Sequence, residues 1–74
     1  MTPAQCRAAR GLLDWTQDEL AAKAAVSVVT VRNFEKGRSS PQRATLEVVR
    51  RALEAVGVEL TNGGQPGVRL KAKP

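Results

Sequence analysis

The sequence predicts a mainly α fold, four helices followed by a short C-terminal β-hairpin or β-arm. Three observations point there. Helix-start signals recur: Thr2-Pro3 with Gln5 and Thr16 with Glu19 each have capping-box spacing. The apolar residues that follow repeat near the helical period of 3.6. After Gly57 the period drops to two, around an Asn62-Gly63 turn signal. At 74 residues this is one compactly built unit near the lower limit for an unaided core. We expect residues 1–57 to form the helical domain and 58–74 the hairpin or arm.

Each element has its own signal. Helix 1 is expected over Pro3 to Leu13, burying Cys6, Ala9 and Leu13. Helix 2 is short, Gln17 to Ala24, with Leu20, Ala21 and Ala24 inward; Asp18 and Glu19 suit the positive end of its dipole. The next stretch, "VSVVTVRNF", is ambiguous. Its β-branched run favours a strand by propensity. Alternation, however, leaves neither face clean, with Val29, Val31 and Asn33 set against Val28, Thr30 and Arg32. Ser27 supplies an N-cap, Lys36 and Gly37 a C-terminal stop, and Val31 and Phe34 share a helical face. The spacing therefore predicts a helix over 28–36. "RSSPQ" is a loop, and helix 4 runs from Arg43 to Val56 with Leu46, Val49, Leu53 and Val56 as its inner stripe. Strands are expected over Val58 to Thr61 and Val68 to Lys71, with Val58, Leu60, Val68 and Leu70 on one face. Residues 72–74 should fray.

Composition removes several functions. There is one cysteine and no histidine, so neither an internal disulfide nor a His-based catalytic or zinc site is possible. Cys6 lacks a base to activate it and reads as a small buried hydrophobe. We expect no enzyme, no metal and no cofactor. No apolar run is long enough for a bilayer or a signal peptide, which implies no membrane and a cytoplasmic protein. Twelve Lys and Arg face seven Asp and Glu, for a net charge of +5. Between Arg32 and Arg51 six basic residues meet only two acids, whereas Leu12 to Val31 holds three acids and one lysine. A basic middle suits either a solvated face or a polyanionic partner.

Two short helices joined by "AAVS", the second followed by a glycine and a basic loop, have helix-turn-helix layout. "WTQDELA", then "VS", "FEKGRSSP" and "ALEAVGVEL", in that order and spacing, resemble the Xre/Cro family of DNA-binding domains, which includes the lambdoid phage repressors. The likeness covers about Cys6 to Leu60. It implies a four-helix repressor-like fold whose third helix enters the major groove of double-stranded DNA. Val31 and Phe34 would fix that helix, with Val28 at its entrance and Val29, Arg32, Asn33 and Lys36 outward. By carry-over, Ser27, Val28, Val29, Arg32 and Asn33 read base edges: Asn33 suits adenine, Arg32 guanine or phosphate, and the valines thymine methyls.

Gln17, Lys36, Arg38, Ser40 and Arg43 are the expected backbone contacts, with Arg43 also suited to the minor groove. The resemblance further implies an Arg10–Glu35 ion pair between helices 1 and 3, a structural role. Two departures stand out. Ala25 occupies a turn position where the family usually has glycine, and a hairpin replaces the fifth helix of many members. Val58, Leu60, Val68 and Leu70 are the candidate dimer contact, because a lone hairpin is marginal in water. The expected function is a repressor-type transcriptional regulator binding a palindromic operator as a homodimer, with a regulatory protein partner possible. The alternative is an antitoxin or antirepressor-like protein-interaction module.

Overall fold

Both capping boxes form in full in the computed structural model, which describes residues 1–61 and 64–71. The Thr2 hydroxyl accepts from the Gln5 N–H (3.1 Å) while the Gln5 carboxamide oxygen accepts from the Thr2 N–H (2.8 Å). Thr16 and Glu19 repeat the exchange, both bonds at 3.0 Å. These caps start α1 (Pro3–Leu13) and α2 (Gln17–Ala24). Ser27 caps α3 (Val28–Glu35) through the Val29 N–H, and α4 spans Arg43–Ala55. Strands β1 (Val58–Thr61) and β2 (Gly67–Leu70) pair antiparallel, Val58 opposite Leu70 and Leu60 opposite Val68. The fold is mainly helical with a terminal strand pair. The expected Asn62-Gly63 turn and the fraying of 72–74 lie outside the described residues.

The core mixes four small side chains, Cys6, Ala9, Ala21 and Ala24, with larger aliphatic and aromatic ones. Cys6, Ala9, Leu20, Ala21, Ala24, Val31, Phe34, Val49, Leu53 and Val58 are all buried. Helix α2 packs on α3 and α4, while β1 lies on α4 and β2 on α1. The Gln5 side chain is also buried. Its amide nitrogen donates to the carbonyls of Thr61 (2.8 Å) and Gly67 (3.0 Å), fastening the strand pair to the start of α1.

Several expectations need correction. Helix α3 stops one residue early, with Lys36 as its C-cap and Gly37 at φ 72°. Helix α4 stops at Ala55, so Val56 leaves the helical stripe and is 41 % exposed. The chain then turns through Gly57 (φ 99°) and delivers Val58 into the core in its place. Val58 is thereby committed to its own chain rather than to a dimer contact. Leu13 is half-buried instead of fully inward. Strand β2 is shifted one residue toward the N-terminus, Gly67–Leu70 instead of Val68–Lys71, because Gly67 pairs with Thr61 and Leu70 with Val58, the two ends of β1. Ala25 is left-handed (φ 57°), as its place in the turn suggested, and Asp14 is as well (φ 58°), which the sequence did not announce. Among the described residues, no helix is long and apolar enough to cross a membrane.

Candidate nucleic-acid interface

The α2–turn–α3 unit is held by its backbone and its inner face. The Ala25 N–H donates to Ala22 and the Val26 N–H to Ala21 (3.0 Å), closing α2 before the chain turns into α3. Val31 and Phe34 anchor α3 from below. On the opposite side Val29 is 52 % exposed, and Arg32 and Lys36 are exposed beside it. Asn33 is half-buried. The Ser27 hydroxyl accepts the Val29 N–H at 3.1 Å and keeps its own proton to donate. Val28 departs from expectation: it is half-buried and packs against the core. The reason is angular. At about 100° per residue, Val28 lies within roughly 60° of Val31, whereas Val29 lies almost opposite it.

The other end of α3 is fixed by Glu35, a carboxylate only 2 % exposed. Arg10 of α1 grips it bidentately, Nη2 to Oε1 and Nε to Oε2, each at 2.7 Å. The Cys6 thiol donates to Oε2 (3.1 Å) and the Gln17 amide to Oε1 (3.1 Å). A third Arg10 nitrogen donates to the Trp15 carbonyl at 3.0 Å, tying in the link between α1 and α2. Burial alone disfavours the Glu35 charge, but hydrogen bonds from Arg10, Cys6 and Gln17 outweigh it and hold its pKa below the ordinary value. The same contact to Glu35 raises the pKa of Arg10. Burial, reinforced by the neighbouring carboxylate, pushes the Cys6 thiol well above its usual range. The thiolate needed for nucleophilic chemistry is therefore suppressed.

The structure thus places Gln17 differently from a purely DNA-facing residue. It is half-buried and donates inward, with one amide N–H left over. The Thr16–Glu19 box leaves the Gln17 and Asp18 N–H groups outside the cap at the positive end of α2. Arg38, Ser40 and Arg43 are all exposed. Arg38 follows α3 closely, its N–H donating to the Asn33 carbonyl at 3.0 Å.

The basic residues divide into two populations. Arg50, Arg51, Arg69 and Lys71, on α4 and at the strand pair, are all within ion-pair distance of Glu47, Glu54 or Glu59. Among the described residues, Arg32, Lys36, Arg38 and Arg43 have no such partner. Lys23 instead sits 5.9 Å from the Trp15 ring centroid. Arg7 belongs to the uncompensated set and was missed in the sequence. One of its terminal nitrogens donates to the Glu35 carbonyl. Its spacing of three from Arg10, which puts both on one face of α1, was the available signal. Of the four residues expected at a dimer contact, Val58 is core, Leu60 and Val68 are half-buried against that core, and Leu70 is 46 % exposed.

A helix-turn-helix family model matches residues 7–61, from within α1 through α2, α3 and α4 to the end of β1. A comparison with curated proteins finds no match. With that match covering most of a chain whose short α2 and α3 form the expected unit, the protein belongs to the Xre/lambda repressor-like helix-turn-helix family of DNA-binding regulators.

Proposed function

We propose that the protein is a sequence-specific transcriptional repressor that binds a palindromic operator as a homodimer, with α3 in the major groove. The observation that carries this reading is the charge division. Cations remain uncompensated on α3, the loop after it and the first residue of α4, Arg43, while Arg50 and Arg51 farther along α4 and the cations of the strand pair are neutralised. Phosphates supply the missing counter-charge. Between those cations, Val29 offers methyl groups to thymine and Arg32 a fork suited to guanine. Ser27, Val28 and Asn33 complete the proposed readout, with Val28 limited to its exposed edge. Gln17, Lys36, Arg38, Ser40 and Arg43 take the backbone. Leu70, with the exposed margins of Leu60 and Val68, is the apolar surface proposed for the dimer. No catalysis, metal or cofactor is part of this reading, and the setting is the cytoplasm.

The test is selection of bound genomic fragments, followed by gel shifts across a salt series. Binding should weaken linearly on a log–log plot, with a slope of about −0.9 per phosphate contacted. Arg32→Ala and Asn33→Ala should each relax sequence preference, whereas Arg38→Ala should weaken all sequences alike. Half-sites about one helical turn apart report the dimer. Affinity indifferent to salt would sink the proposal.

A further inference from the structure

We propose that Arg7 is an additional DNA-backbone contact, a positioning residue that ties the C-terminal end of the recognition helix to a phosphate. This rests on the DNA-binding reading above. Arg7 projects from α1, outside the helix-turn-helix unit, and its side chain is exposed. One terminal nitrogen donates to the carbonyl of Glu35, the last residue of α3. A guanidinium carries five N–H donors in a planar fork, so most of the group remains available.

The adjacent carboxylate does not neutralise it. Glu35 turns its side chain inward, where Arg10 and Gln17 occupy Oε1 and Arg10 and Cys6 occupy Oε2. No other carboxylate among the described residues lies within ion-pair distance of Arg7. The next residues along the chain are Lys36 and, after Gly37, Arg38, both exposed and uncompensated. A third cation held at this corner by a backbone carbonyl adds repulsion unless an anion meets it. A cation at a helix C-terminus is favourable in itself, which is the purely structural alternative. That role needs only the one contact already made. The remaining fork matches a phosphate, which accepts two parallel N–H bonds.

The experiment compares wild type with Arg7→Gln and Arg7→Lys, measuring thermal melting and DNA affinity across salt. The duplexes are a selected operator and an unrelated sequence. Arg7→Gln keeps a donor for the Glu35 carbonyl but removes the charge. It should weaken both duplexes alike and make the salt slope shallower by about 0.9, so that its deficit shrinks roughly threefold between about 50 and 200 mM salt. Arg7→Lys should retain the slope. A wild-type slope in Arg7→Gln, with or without a lower melting temperature, overturns the phosphate contact and leaves a helix cap. Failure of the wild-type protein to bind any duplex overturns the DNA reading itself, a result distinct from binding that ignores Arg7.

Discussion

Gln5 and Glu35 are both polar and both buried, at 3 % and 2 % exposure, yet they join the fold by different chemistry. Gln5 is neutral and receives no charge from its surroundings. Its amide nitrogen holds two carbonyls of the strand pair, and its oxygen takes the Thr2 N–H. Glu35 is ionised and collects four side-chain donor bonds from α1 and α2. The neutral clamp fastens the strand pair, away from the proposed DNA face, and does not titrate. The charged one fixes α3, the proposed recognition helix, and its strength depends on protonation. The difference teaches where this small protein is sensitive. One carboxylate adds to Val31 and Phe34 in fixing α3, and one carboxamide adds to Val58 in fastening the strand pair.

Removing the charged clamp should have the largest effect. Glu35→Ala leaves Arg10 partly buried without its partner, and a loss of about 3–5 kcal/mol is expected in denaturant unfolding. An unchanged midpoint would show that the pair is dispensable. Acid should reveal the same clamp in the wild type. Its folded pKa lies below the unfolded one, so across that interval the unfolded chain binds more protons and stability rises with pH. The contribution is complete above the unfolded value of about 4.3 and declines as pH falls through the lower, folded value. Glu35→Gln should show a shallower dependence of melting temperature on pH in that range. Trp15 fluorescence reports both transitions, since its side chain is half-buried against the core.

Breaking the neutral clamp should cost less. Gln5→Ala strands the Thr61 and Gly67 carbonyls, for a loss of about 1–3 kcal/mol. Hydrogen exchange should localise that loss to β1 and β2, with pH dependence unchanged. Between the two clamps lies the turn, where Ala25→Gly should stabilise by about 1 kcal/mol because the left-handed backbone disfavours a Cβ. The smallest stability change belongs to Val29→Ser, within about 0.5 kcal/mol for an exposed position. Its effect should appear instead as relaxed preference at one T·A pair. A sharp fall in stability would place Val29 in the core.

Local signals carried far in this chain. The starts of α1, α2, α3 and α4 follow from Thr2, Thr16, Ser27 and the loop before Arg43, and the exchange of period after Gly57 announces the strands. Valine content misleads only when propensity is weighed without the caps, as "VSVVTVRNF" demonstrates. The candidate site was less legible. Arg10 and Glu35 were paired through family resemblance, and the structure brings them to 2.7 Å. The inward turn of Gln17 had no comparable signal, and the reach of Arg7 to the end of α3 had only its spacing of three from Arg10.

By itself the sequence determined the number, order and near-complete bounds of the helices, the strand pair, and the excess of positive charge. Capping bonds span three residues and helical periodicity four, so neighbours along the chain suffice to specify them. Only the tertiary structure decided which valines are core: Val28 leans inward and Val29 outward, while Val58 enters where Val56 was expected. It also assigned partners to Gln5, 56 and 62 positions away, and divided the cations into neutralised and uncompensated sets. Those outcomes depend on how the helices dock, and docking is fixed by contacts between residues that no local pattern connects.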